Sequence, residues 1–374
     1  MSKRLFFVAG EASGDAHGAA LMVALRAVDP ALQFSGRGGP RMREAAGGEF
    51  VDWSEHSAVL GLWEVLKQYG YFRREFARTI KQIETQRPDA VVLIDYPGFN
   101  LRLARALRRK TPQLKIIYYI SPQVWAWNRR RIPQMARYLD LMLCIFPFEA
   151  ELYNQSGLRT VFVGHPMIDS LAEHAVSETR DPHLIGLFPG SRARELRKIL
   201  PAMLGAAQRI VAVDREARFE IAAATSGLAA LAEALVRNVG VADAVKITTG
   251  AARELMGRAH VGMVASGTAT LEAALHRLPF VLVYRVAWLT YLAAKMLVRL
   301  EHIGMPNVLA GREIVREFVQ AEARPAAIAE EVLRLSRDAA RREQMLAEFE
   351  VVAAKLGRGG ASAQAARAIV AAIS

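Results

Sequence analysis

The chain has 374 residues, 52% of them hydrophobic, with 49 basic against 37 acidic side chains and a formal net charge of +12. That length favours two domains, that apolar content excludes a disordered chain, and that charge implies an anionic partner: nucleic acid, an anionic membrane surface or phosphorylated substrates. The single cysteine, Cys144, excludes an intramolecular disulfide framework. The basic start Met1-Ser2-Lys3-Arg4 precedes too short an apolar run for a signal peptide, and Phe280–Leu300 is broken by Arg285, Lys295 and Arg299 before it could span a bilayer.

Short apolar runs alternate with longer amphipathic ones. The first series predicts strands over Leu5–Ala9, Ala90–Ile94, Lys115–Ile120, Leu141–Phe146 and Thr160–Val163, and helices over His17–Ala27, Tyr71–Thr85 and Leu101–Lys110. A Gly-His-Pro turn leads into a polar stretch near Gly164–Thr179. The second series predicts strands over Leu184–Phe188, Arg218–Ala223, Val245–Thr248, Val261–Ala265 and Phe280–Tyr284, with helices over Leu196–Val213, Gly227–Val239 and Thr268–Leu275. After Pro325 only helices follow: Ala326–Arg337, Ala339–Leu356 and, past Gly359-Gly360, Ser362–Ile373. Runs apolar throughout fit strands buried on both faces, so the chain reads as α/β: two Rossmann-like, doubly wound parallel-sheet domains, 1–165 and 166–340, with a helical tail, 341–374.

Chemistry in such folds sits at the carboxyl ends of strands. The loop after the first strand, Gly10-Glu11-Ala12-Ser13-Gly14-Asp15, is not a dinucleotide fingerprint. Glu11 and Asp15 would repel phosphate at short range, so the loop suits hydroxyls or an uncharged part of a substrate; a capped turn also explains it. Asp95, in Ile94-Asp95-Tyr96-Pro97-Gly98-Phe99-Asn100, stands at another strand end and suits a general base acting on a hydroxyl, or an Asx turn before Pro97. Two tryptophans precede three arginines in Trp125-Ala126-Trp127-Asn128-Arg129-Arg130-Arg131; they suit stacking on bases, sugars or headgroups, or a core helix start.

In the second half, Pro189-Gly190-Ser191-Arg192 places Gly190, Ser191 and Arg192 at a helix mouth, where backbone N–H groups and a guanidinium make a phosphate site. Ser266, Gly267 and Thr268 form a second such turn, and Glu272 lies one helical turn on, where it could hold ribose hydroxyls or close a capping box. Two phosphate-type turns in one half-chain favour a nucleotide. No H-x-x-x-H or D-x-D pattern occurs, so neither a metal site nor a cofactor is expected. Val59–Phe76 (Leu62, Trp63, Leu66, Tyr69, Phe72, Arg73 and Arg74) and Trp288–Arg299 mix aromatic, aliphatic and basic residues, as an anionic lipid interface or an ordinary core helix would.

Taken in order, Ala9–Asp15, Gly39-Pro40-Arg41-Met42, Ile94–Asn100, Ser121–Trp127, Val163-Gly164-His165-Pro166, Pro189–Arg192, Ala265–Glu272 and Met305–Arg312 resemble the lipid-A-disaccharide synthase family, bacterial glycosyltransferases of the two-Rossmann (GT-B) type. The resemblance spans essentially the whole chain. It implies inverting transfer of 2,3-diacylglucosamine from UDP-2,3-diacylglucosamine to the 6-hydroxyl of 2,3-diacylglucosamine 1-phosphate, giving a β-1,6 disaccharide 1-phosphate and UDP. It implies UDP in the second domain, the acceptor in the first, and C-terminal helices packed back on the first domain. On this reading Asp95 is the base, Glu11 and then Asp15 assist, and Ser191, Arg192, Ser266, Thr268 and Glu272 hold UDP, with Asn307 at the nucleotide or sugar. The implied setting is the cytoplasmic face of a Gram-negative inner membrane, bound peripherally. A homodimer is compatible with the resemblance. Two other classes are weighed: another two-Rossmann sugar-nucleotide enzyme such as a UDP-N-acetylglucosamine 2-epimerase, and a basic nucleic-acid-binding protein, which leaves Asp95 and the Ser266–Glu272 turn unexplained.

Overall fold

The computed structural model describes residues 2–53, 69–172, 179–288 and 301–374. It divides into two units, Met1–Asp169 with Leu356–Ser374, and Ser170–Lys355. In the first unit, β1 (Arg4–Ala9), β2 (Gln33–Gly38), β3 (Phe50–Asp52), β4 (Ala90–Ile94), β5 (Lys115–Tyr119), β6 (Leu141–Cys144) and β7 (Thr160–Phe162) form one sheet in the order β3-β2-β1-β4-β5-β6-β7. In the second, β8 (Asp181–Phe188), β9 (Arg218–Ala223), β10 (Val245–Thr249), β11 (Ala259–Ala265), β12 (Phe280–Tyr284) and β13 (Glu317–Val319) run β10-β9-β8-β11-β12-β13. Every pairing is parallel. The expected pair of doubly wound sheets is therefore what the chain builds.

Alternate residues of the inner strands serve opposite cores, as the two-residue period of a strand requires. Leu5, Phe7 and Ala9 of β1 pack with Ala90, Val92 and Ile94 of β4 beneath the helix Ala12–Val28. Phe6 and Val8 pack with Val91 and Leu93 on the other face, under the helices Tyr69–Gln86 and Pro97–Lys110. Strands β2, β3 and β13 are absent from the sequence reading. β2 reads Gln-Phe-Ser-Gly-Arg-Gly, with little apolar signal, and the other two have three residues each.

The tail divides differently from the expected boundary at residue 341. The helix Ala339–Lys355 packs in the second unit, where Phe349 stacks on Phe280 at 5.8 Å and Lys355 Nζ donates to the Leu309 carbonyl at 2.7 Å. Its buried face is formed by Met345, Phe349 and Val352. Only the helix Ala361–Ile373 joins the first unit, burying Ala365, Ala366 and Ile369 in the β1–β4 core. Asp169 caps it, accepting from Gly360 N at 2.5 Å and Ala361 N at 3.0 Å. Ile369 has no exposed surface, so Ile369→Ala should lower unfolding stability by about 2–5 kcal/mol, as deleted core methyls do. Urea unfolding followed by circular dichroism measures this; an unchanged midpoint would show that the tail helix is not part of the first core.

Candidate active site

The strand order reverses direction between β1 and β4 in the first sheet and between β8 and β11 in the second. Ligands of open parallel sheets bind at such switch points, outside the carboxyl ends of the strands. In the first unit the residues there are Glu11, just past β1, and Asp95, just past β4; Ala9 and Ile94 are register partners. Asp95 is pulled out of line by a bend in which Asp95 and Tyr96 both take left-handed conformations, φ 44° and 49°. The Tyr96 ring lies against Gly10, where any Cβ would overlap it. Trp53 closes the side of the bend, its indole N–H donating to the Ala9 carbonyl at 2.7 Å and its ring meeting Tyr96 edge-on. Burial raises the Asp95 pKa to about 6, the Glu11 charge adds to the rise, and the Tyr96 N–H opposes it. A carboxylate so placed can take a proton from a hydroxyl near neutral pH.

Asp15 is close in sequence but differently placed. It is buried, and its carboxylate accepts from the backbone N–H groups of Gly39 (2.9 Å), Met42 (2.9 Å) and Arg41 (3.1 Å), capping the helix Pro40–Ala46. Gly39 has no Cβ because one would overlap that carboxylate. Both Asp15 oxygens are therefore occupied by the fold. Asn307 is likewise fully buried. It donates to the Val315 carbonyl and Glu317 and accepts from Ile314 N and Val315 N, all at 2.8–2.9 Å. All four hydrogen-bonding positions of the Asn307 amide are thus used within the fold.

In the second unit the two phosphate-type turns stand side by side, since β8 pairs with β11 and Phe188 opposes Val264. Gly190 and Gly267 both take positive φ, 105° and 142°. Ser191, Gly267 and Thr268 are exposed, and Ser266 Oγ donates to the Ile303 carbonyl at 3.3 Å. Arg192 opens the helix Ala193–Val213 and its guanidinium lies 3.3 Å from Glu195. Glu272 pairs with Arg253 at 2.7 Å. The expected UDP-binding residues thus share one edge, Asn307 apart, with Arg192 and Glu272 each held by an opposite charge.

Several residues near these edges escape sequence reading. Glu149 is fully buried and accepts from Ser121 Oγ (2.6 Å), Trp125 Nε1 (2.8 Å) and Phe146 N (3.2 Å). It fixes the Ser121–Trp125 turn after β5, and burial raises its pKa to about 7 against those bonds. The tryptophan pair accordingly splits: Trp125 is buried, while Trp127 is 42% exposed with Arg131 over its ring at 4.9 Å. Arg37 and Glu75 form a buried ion pair, with the guanidinium 5.3 Å from the Trp53 ring. Burial lowers His165 to about 4, with a further push from His17, which burial lowers too. Of the expected membrane residues, Leu62, Trp63 and Leu66 lie outside the described residues. Tyr69 begins the helix Tyr69–Gln86, Phe72 is half-buried and Arg73 and Arg74 are exposed. The second amphipathic stretch is described only at Trp288, which is 61% exposed.

If Asp15 acts as a cap, Asp15→Asn should lose about 1.5–3 kcal/mol, because an amide N–H would then face a backbone donor. Thermal or urea unfolding reads the loss, and an unaltered stability would return Asp15 to the set of reactive carboxylates.

A family model described as lipid-A-disaccharide synthetase matches residues 5–370. A lipid-A-disaccharide synthase of Trichlorobacter lovleyi is 41% identical, over 96% of this chain and 94% of its own. One of Geobacter sulfurreducens is 40% identical, over 98% and 96%. Among solved structures, the UDP-GlcNAc 2-epimerase of Neisseria meningitidis aligns with a TM-score of 0.66 at 13% identity, over 98% of this chain and all of that one. The calicheamicin glycosyltransferase CalG4 aligns at 0.60 and 16%, over 100% and 98%. These structural likenesses concern the fold alone. With a family model spanning nearly its whole length and relatives at about 40% identity, the chain belongs to the lipid-A-disaccharide synthetase family.

Proposed function

We propose that this chain is an inverting glycosyltransferase that moves 2,3-diacylglucosamine from UDP-2,3-diacylglucosamine to the 6-hydroxyl of 2,3-diacylglucosamine 1-phosphate. The observation that carries its mechanism is Asp95: a carboxylate at a switch point, beside Glu11, with its pKa raised to about 6. In this mechanism Asp95 takes the proton from the 6-hydroxyl, whose oxygen attacks the anomeric carbon as the bond to UDP breaks. Glu11 orients the hydroxyl and its charge keeps Asp95 basic. Negative charge grows on the departing UDP. Ser191, Arg192 and the helix mouth at Ser266–Thr268 stabilise it, and the second oxygen of Glu272 holds the ribose. Asp15 supports the Pro40–Ala46 helix beneath the acceptor.

We also infer that the first unit rests on an anionic lipid surface. Supporting this are the exposed Arg73 and Arg74 on one helix, Arg102, Arg105 and Arg109 on the next, and Arg129 and Arg130 beside the exposed Trp127. The two helices touch through Phe76 and Phe99, at 5.5 Å. Each such cation adds about 1 kcal/mol near an anionic membrane. Replacing Leu62, Trp63 and Leu66 by polar residues should reduce binding to phosphatidylglycerol vesicles without altering circular dichroism. Equal binding by the variant would discard these three residues as contacts.

UDP release from UDP-2,3-diacylglucosamine should depend on the acceptor; release or epimerisation without acceptor would support the epimerase reading instead. Asp95→Asn should lower kcat by about 10²–10⁴-fold while UDP still binds, the usual scale for removing a general base. Arg192→Ala should do the opposite, weakening UDP about 10- to 100-fold, as the loss of a charge-assisted hydrogen bond does. Because the base must be ionised, kcat/KM should level off about one pH unit above 6 and fall as pH drops through it. Stability has the other sign. The folded pKa exceeds the ordinary 3.8, so the native state gains protons first and becomes more stable as pH falls from 6 towards 4. At pH 7 Asp95→Asn should therefore be no less stable than the parent, and a clear loss of stability would mean that the Asp95 charge serves the fold.

A further inference from the structure

Two successive left-handed residues with side chains, Asp95 at φ 44° and Tyr96 at φ 49°, are disfavoured by sterics and persist only where their surroundings hold them. Two side chains converge on the Asp95 carbonyl oxygen. The Tyr118 hydroxyl donates from β5 at 2.6 Å, and Asn100 Nδ2 donates from the helix Pro97–Lys110 at 2.8 Å. Both residues are fully buried. The same Asn100 nitrogen lies 3.1 Å from the Ile94 carbonyl and 3.3 Å from that of Val8, so one amide group joins the ends of β4 and β1 to the bend between them. The Asp95 N–H is held as well, by the Tyr119 carbonyl at 3.0 Å.

We propose that Tyr118 and Asn100 are positioning residues for the transfer reaction: they hold the Asp95–Tyr96 backbone in its left-handed form and thereby aim the Asp95 carboxylate at the acceptor hydroxyl. Were the bend to relax to an ordinary extended or helical conformation, the Cα–Cβ bond of Asp95 would turn away from the strand end. A misplacement of about 1 Å is enough to cost a reaction on the order of 100-fold. The proposal rests on Asp95 being the base, and the test keeps the two apart.

Three variants of the full chain, Tyr118→Phe, Asn100→Asp and Asp95→Asn, are compared by steady-state kinetics with both substrates and by thermal unfolding. Tyr118→Phe removes one hydroxyl and little volume. Asn100→Asp keeps the shape but turns an oxygen towards three carbonyls. Tyr118→Phe should lower kcat about 10- to 100-fold, with the KM for the UDP-sugar within about twofold of the parent. Its Tm should fall by only about 2–4 °C, the effect of one lost hydrogen bond in a domain of this size. Asn100→Asp should lower kcat at least as far; if it does not fold, Tyr118→Phe alone decides. Loss of turnover in Asp95→Asn with an unchanged kcat in Tyr118→Phe would overturn the positioning role and leave the base intact. Full turnover in Asp95→Asn would remove the base, and the positioning role with it.

Discussion

A strand that pairs in parallel with its neighbours delivers the loop that follows it to the same sheet edge as theirs, so β1 beside β4 brings Glu11 to Asp95, and β8 beside β11 brings Arg192 to Ser266 and Thr268. Nothing local could do this, because the residues of each pair are far apart in sequence. The cost of the arrangement is electrostatic. At the first edge one carboxylate is desolvated beside another, and both effects favour the protonated acid. The raised pKa of Asp95 is thus a product of topology as much as of the residue.

The carboxylates that the fold engages divide according to what faces them. Asp15, Asp169 and Glu317 each accept from two or three backbone N–H groups at a helix start. Glu317 does for the helix Met305–Ala310 what Asp15 does for Pro40–Ala46, and in both places a proline and a nearby glycine complete the motif. Glu149 accepts three donors too, yet its pKa still rises to about 7, so complete burial outweighs its hydrogen bonds. Asp95 is the one whose own carbonyl, rather than its carboxylate, is held by side-chain donors.

How much of this could be read in advance depended on where the information lay. Apolar runs such as Ala90–Ile94 and Phe280–Tyr284 carry their own signal, and both sheets could be expected from them. β2 could not, because its glycines and Arg37 are there for contacts: a Cβ at Gly36 would overlap the Phe7 backbone, and Arg37 meets Glu75 and Trp53. The placement of Asp95 and Glu11 at neighbouring strand ends was legible, because each follows closely on an apolar run. The settled duty of Asp15 and Asn307 was not, since it depends on backbone donors brought by other segments. Glu149 was hidden for the same reason. Its pairing with Ser121 and Trp125 exists only once β5 and β6 lie together.

The split composition of the first unit bears on how the protein comes to be folded. Its core is built from Met1–Asp169 and from a helix that follows the whole of the second unit. The second unit is continuous in the chain and can complete its core from one uninterrupted stretch. The first must wait, with Ala365, Ala366 and Ile369 missing from beneath β1, until synthesis has passed through everything between. Contacts of such long sequence separation are slow to form. A nascent chain would therefore carry an unfinished, apolar-lined first unit for most of its time on the ribosome, which makes that unit the natural target for chaperones that bind exposed apolar surface.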